Sequence, residues 1–119
     1  MKKPSLCIFF ILMWINIGIT EEQNIIGSSW TISESDGDIY IFKFNKENKC
    51  TYVSLKSYSG NEGIIYDNCE WSHNGNAIVF HMNNFFMIRT AIIDGYTMEG
   101  YFVSAYKGGV KGSFTGTKN

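Results

Sequence analysis

From residue 25 onward, apolar residues recur at every second position and short polar stretches interrupt them. No segment in this range keeps an apolar period of 3.6. A period of two marks strands with one buried face. "SWTIS" alternates Trp30 and Ile32, "IYIFKFN" alternates Tyr40, Phe42 and Phe44, and "NAIVFHM" alternates Ile78, Phe80 and Met82. "CTYVSLKS", "IIYDNCEWS", "FFMIRTAII", "YTMEGYFVSAY" and "VKGSFTGT" bring the set to eight strands.

The polar stretches carry turn chemistry. "SDGD" at 35–38, "NG" at 74–75, "NN" at 83–84 and "DG" at 94–95 suit two-residue hairpin loops, which need a positive φ. "KGG" at 107–109 suits a three-residue loop, and "YSGNEG" at 58–63 is the longest connector. Hairpin after hairpin gives an up-and-down antiparallel meander. Eight strands can close by pairing the last with the first, which removes both edges. The expected fold is therefore all-β: one eight-stranded barrel domain over residues 25–118.

The turns also set an expected register. A loop at Asn74-Gly75 places Trp71 opposite Ile78 and Cys69 opposite Phe80. A loop at Lys107-Gly108-Gly109 places Phe102 opposite Phe114 and Gly100 opposite Gly116. The inward set is then Trp30, Ile32, Tyr40, Phe42, Phe44, Tyr52, Trp71, Ile78, Phe80, Met98, Phe102 and Phe114. Nine of these twelve are aromatic. Rings of that size tend to fill an eight-stranded bore, which is wide enough only for side chains or one small ligand.

The N-terminus reads as an address. "MKKPS" carries two lysines, and "LCIFFILMWINIGI" follows as an apolar run. That order is the charged and apolar halves of a signal peptide, expected over 1–20. The run, at about 14 residues, is shorter than the roughly 20 a spanning helix needs. An uncleaved anchor is the other reading; after cleavage no stable membrane span is expected. Cys7 precedes the run and leaves with it. Cys50 and Cys69 remain, an even pair in an exported chain, so a disulfide is expected. A symmetric hairpin across "YSGNEG" sets the two directly opposite each other. Two free buried thiols are the alternative. Signal removal lowers the formal charge from −1 to −3, because Lys2 and Lys3 leave and all eleven acids stay. Nothing there attracts a phosphate backbone, so nucleic acid is set aside as a partner. Export, to a periplasm or out of the cell, is the expected localisation.

Catalytic motifs are not evident. The sequence holds no GxSxG, no HExxH and no glycine-rich phosphate loop. Asp36, Asp38 and Asp94 stand where turns favour them. His73 and His81 fall on opposite faces: the Asn74-Gly75 loop pairs His73 with Asn76 and His81 with Asn68. No metal, no cofactor and no enzymatic activity are expected.

Arg89 has a sharper alternative. Loops at Asn83-Asn84 and Asp94-Gly95 place it inward, opposite Ile78 and Gly100. A buried guanidinium must find an anion or several acceptors. It could anchor a ligand carboxylate, pair with an internal acid or tyrosine, or sit in solvent after a one-residue register shift. As a ligand anchor it would share the interior with Tyr40, Tyr52, Trp71 and Phe102. The same register leaves Val79, Phe86, Ile88, Tyr101 and Val103 facing outward on adjoining strands. Taken at face value that is a contiguous apolar patch, the kind that marks a protein contact.

With these residues in view, the chain resembles the small bacterial lipocalin-like domains of the calycin type. The resemblance rests on "IIGSSW", "YIFKFNKENKCTY", "CEWSHNGNAIVF", "DGYTMEG" and "GGVKGSFTG" in that order. It implies binding of a small apolar molecule or an accessory role in the cell envelope, and it passes no catalytic residues to this chain. The expected function is an exported, non-catalytic barrel acting on a protein partner through its surface or rim. A carrier for a small apolar or amphipathic ligand in the interior is the alternative.

Overall fold

The computed structural model describes residues 25–57, 62–82, 86–105 and 109–119. The expected signal segment lies outside these residues, as does the Asn83-Asn84 loop. Eight strands follow one another: β1 (Ser29–Glu34), β2 (Ile39–Phe44), β3 (Lys49–Lys56), β4 (Ile65–Asn74), β5 (Ala77–Met82), β6 (Met87–Asp94), β7 (Thr97–Ser104) and β8 (Val110–Lys118). Each pairs with the next, and β8 returns to β1, so the sheet closes into a barrel. Closure pairs Ile32 with Gly116 and Glu34 with Phe114. All twelve residues expected inside are buried.

The register differs from expectation at four hairpins, β4–β5 through β7–β8, always by an even shift that preserves the faces. The β4–β5 loop is Gly75-Asn76, so Trp71 faces Phe80 and Cys69 faces Met82, not Ile78 and Phe80. The β6–β7 loop is Gly95-Tyr96, with Asp94 paired to Thr97. In both, glycine takes the first central position at φ 63° and no positive φ falls on the residue after it. That is the pattern of a type II′ turn, one residue on from the Asn74-Gly75 and Asp94-Gly95 loops expected. The β7–β8 connection is wider than three residues, since Ser104 pairs with Val110. Phe102 therefore faces Gly112, and Gly100 faces Phe114, in place of the expected Phe114 and Gly116.

That last shift has a packing reason. A Cβ on Gly112 would stand 2.6 Å from the Phe102 ring, and one on Gly116 would stand 2.6 Å from Met98 and 2.8 Å from Ile32. The two inward glycines of β8 lie under the large side chains of β7 and β1. Sizes alternate across the seam, as close packing requires.

Rings fill the bore. Phe42 on β2 meets Phe80 on β5 edge-on, with centroids 4.9 Å apart. Phe80 also meets Phe44 at 5.2 Å and Phe114 of β8 at 5.9 Å. Three walls of the barrel thus touch through one ring, in the geometry aromatic pairs prefer.

One end is closed by indoles. The Trp71 Nε1 donates to the carbonyls of Asn45 and Lys49, at 3.0 and 2.9 Å, tying β4 to the β2–β3 turn. In that turn Glu47 and Asn48 both carry φ near 61°, the left-handed pair a type I′ hairpin demands. The Trp30 Nε1 donates to the Ser28 hydroxyl at 2.8 Å, and that hydroxyl donates to the Ile25 carbonyl.

Cys50 and Cys69 form a disulfide between directly opposed residues of β3 and β4, with Cα atoms 4.8 Å apart. Beyond it, the β3–β4 register shifts between Cys50 and Tyr52. Asp67 and Asn68 are consecutively exposed there, and Tyr66 is brought opposite Tyr52, where the rings stack at 5.2 Å. Replacing both cysteines with alanine is expected to lower stability by about 3 kcal/mol, because the bridge closes a loop of about 20 residues in the unfolded chain. Urea unfolding of the oxidised protein and the double variant measures the difference.

Candidate functional site

Glu34 ends β1, and Arg89 stands near the start of β6. Between them, going round the closed sheet, lie β8 and β7. A contact between the two must therefore cross the lumen. The Arg89 Nε donates to Glu34 Oε2 at 2.7 Å, and Nη2 pairs with the same oxygen. Both side chains are fully buried. The guanidinium also lies 4.9 Å from the Tyr40 ring centroid, 5.0 Å from Phe42 and 5.8 Å from Phe80. Cation–π attraction of this kind gains strength when the cation is desolvated. Nη1 reaches the Met82 sulfur at 3.6 Å.

Sequence reasoning placed Arg89 inward but opposite Ile78 and Gly100. It faces Phe80 and Phe102 instead. The room for its side chain does not come from Gly100, which lies against Ala91 and Phe114. Of the three roles open to Arg89, solvent exposure is overturned by its complete burial, and an internal acid is the partner seen. Glu34 is the member of the pair that sequence reasoning did not single out. Its inward place follows from β1 parity, since Trp30, Ile32 and Glu34 share one face.

A short acidic turn adjoins the pair. Carboxylate oxygens of Glu34, Asp36 and Asp38 lie within 4.8 Å of one another. Asp38 accepts from the Tyr40 hydroxyl at 3.3 Å, and Asp36 accepts from the Asp38 amide at 3.2 Å. The Arg89 charge already offsets part of this cluster. Burial pushes the Tyr40 hydroxyl above its ordinary pKa; Arg89 opposes that shift, while Glu34 and Asp38 add to it. At this end of the lumen the Ser54 and Ser104 hydroxyls are also buried.

The remaining sequence candidates separate. Tyr52, Trp71 and Phe102 are buried in the core cluster with Tyr40. Trp71 lies at the indole-closed end, whereas Arg89 belongs to the opposite half. His73 pairs with Ile78, not Asn76, and stacks on Trp71 with centroids 5.6 Å apart. His81 pairs with Glu70, not Asn68, and its Nε2 lies 3.5 Å from the Glu70 carboxylate. Three residues of strand separate the two histidine pairs, about 10 Å. Lys49 also binds Glu70, at 2.8 Å, and holds that carboxylate below its usual pKa.

The five outward residues lie on or beside the neighbouring strands β5, β6 and β7. Ile88 pairs with His81 and Val103, and Thr90 pairs with Val79 and Tyr101. Val79, Phe86, Tyr101 and Val103 are exposed, Tyr101 at 74%, and Ile88 is half-buried. Ile92, at 53%, extends the patch toward the β6–β7 turn; sequence reasoning had omitted it.

No protein-family model and no curated protein matches this sequence. Among solved structures, the fold is similar to that of a protein from Burkholderia vietnamiensis named a "putative beta-lactamase". The TM-score is 0.58 at 14% identity, and the alignment covers 80% of this chain and 93% of that one. At that identity the likeness is one of fold.

Two measurements test the lumen. Arg89→Met or Glu34→Gln alone should cost about 3–5 kcal/mol, because each leaves its partner buried without the opposite charge. The double replacement Glu34→Leu/Arg89→Met should recover most of that loss in urea unfolding. A spectrophotometric titration should show a tyrosine ionising above the ordinary range, and Tyr40→Phe should remove that contribution. The shift stabilises the fold fully below the ordinary tyrosine pKa of about 10 and is lost as pH rises through the raised value.

Proposed function

We propose that this chain is an exported lipocalin-like barrel without catalytic activity that binds a protein partner through the outer face of β5–β7. The observation that carries this reading is the contact of Phe80 with Phe42, Phe44 and Phe114, which joins three walls across the bore. A filled lumen leaves the outside as the working surface. The apolar residues on β5, β6 and β7 stand on neighbouring strands, so they form a patch and are not scattered singly. The disulfide supports a non-reducing compartment. The likeness to the Burkholderia protein supports the barrel; its name brings no catalytic group to these residues.

The second reading, a carrier for a small apolar ligand, draws on the polar end of the lumen. There Arg89, Tyr40, Ser54 and Ser104 are buried together with Glu34. Arg89 would have to exchange Glu34 for a ligand anion, at the cost of leaving a buried carboxylate uncompensated.

Titration with a fluorescent apolar probe, read beside native mass spectrometry, decides between the two. The expected result is weak binding that falls in the Val79→Ser/Val103→Ser variant. That variant should change stability by no more than about 1 kcal/mol, as exposed positions do. A saturating one-to-one complex that ignores those substitutions would establish the carrier reading instead.

A further inference from the structure

Charge is segregated around this barrel. The outward positions of β4 carry Asp67 and Glu70, β6 carries Asp94 and β7 carries Glu99. Among the described residues of β4 to β7, no outward position holds lysine or arginine; the single arginine there, Arg89, is inside. Among the described residues the lysines lie on the flanking strands: Lys43, Lys49 and Lys56 on β2 and β3, Lys46 in their turn, and Lys111 and Lys118 on β8, where Lys111 pairs with Val103. Lys49 is already committed to Glu70, and Lys118 lies 5.7 Å from the Tyr96 ring.

The acidic sector coincides with the apolar patch. Cross-strand pairing sets Ile92 beside Glu99 and Thr90 beside Tyr101. An open trough of about 620 Å³ lies over β6, β7 and the adjoining β8, lined by Ile92, Asp94, Glu99, Tyr101, Ser113 and Thr115 among others. It offers apolar side chains and carboxylates within one footprint. Complementarity calls for the same two chemistries on the partner: apolar groups and ammonium or guanidinium groups.

We infer that the β5–β7 face binds a basic protein surface, with lysines or arginines of the partner seated against Asp94 and Glu99 and its apolar residues against Tyr101, Val103 and Ile92. This rests on the interaction reading above and adds the sign of the partner's charge. Carboxylates at such a rim chiefly raise the rate of encounter and fix orientation, while the apolar centre holds the complex. Affinity should therefore depend on salt, because exposed charges are screened.

The probe is an extended peptide of alternating leucine and lysine, with a leucine–glutamate peptide as its opposite. Both are titrated into the oxidised, isotope-labelled protein and followed by amide chemical shifts. The lysine peptide should shift the amides of Thr90, Ile92, Glu99 and Tyr101, and the glutamate peptide should not. Asp94→Lys/Glu99→Lys should weaken the lysine peptide by about tenfold or more, Asp94→Asn/Glu99→Gln by less, and salt should act in the same direction. Near-UV circular dichroism checks that each variant keeps its fold. Binding of both peptides to this face with equal strength would overturn the basic partner while leaving the interaction surface standing. Shifts confined to other strands, or none from either peptide, would overturn both. Sedimentation showing self-association through the Lys43–Lys56 side of a second copy would overturn the heterologous partner.

Discussion

A bore of fixed width governs this molecule. Eight strands enclose a space that side chains can just fill, and every second residue must enter it. Phe80 satisfies the constraint by touching rings from β2 and β8 at once. Once these rings meet, the remaining inward positions have little freedom. Gly112 and Gly116 yield space to Phe102 and Met98, and Arg89 occupies what the rings leave over.

The buried ion pair is best understood as a register device. Its net worth to stability is small or negative compared with a well-packed apolar pair, because both ions have left water. A slip of β6 by two residues, however, would keep its inward face inside but carry Arg89 about 7 Å from Glu34 and strand both charges. A slip of β1 would strand the guanidinium. The two strands belong to different parts of the chain, 55 residues apart. The pair therefore disfavours wrong closures that the ring pattern alone would tolerate, since a phenylalanine displaced by two positions still finds another ring.

Faces were legible in the sequence, and offsets were not. Alternation is a local property, and Trp30, Phe42 and Phe80 declare their side of the sheet by parity alone. Whether Gly75 is the first or the second residue of its turn depends on ψ angles that Asn-Gly admits in more than one combination. Both choices keep every residue on its face, so patterning could not arbitrate between them. Cys50 and Cys69 were found because a symmetric hairpin makes them opposite. The Arg89–Glu34 contact was half found. Parity put Arg89 inside, but pairing it with Glu34 needs the closed ring, which brings β1 and β6 across the lumen from each other. No window of sequence contains that fact.

Closure also underlies the proposed function. An open sheet would present backbone edges to a partner, but here β1 and β8 satisfy each other and no edge remains. A ring-filled bore removes the interior as a roomy cup. Side chains on the outer wall are what is left, and they are not evenly distributed. Lysines gather on β2, β3 and β8, whereas β5 to β7 combine exposed apolar side chains with carboxylates. Solubility alone asks for mixed signs spread over the whole surface. A sector that keeps Ile92, Tyr101 and Val103 exposed beside Asp94 and Glu99, with no lysine among its described outward positions, departs from that requirement in the direction a docking surface would take.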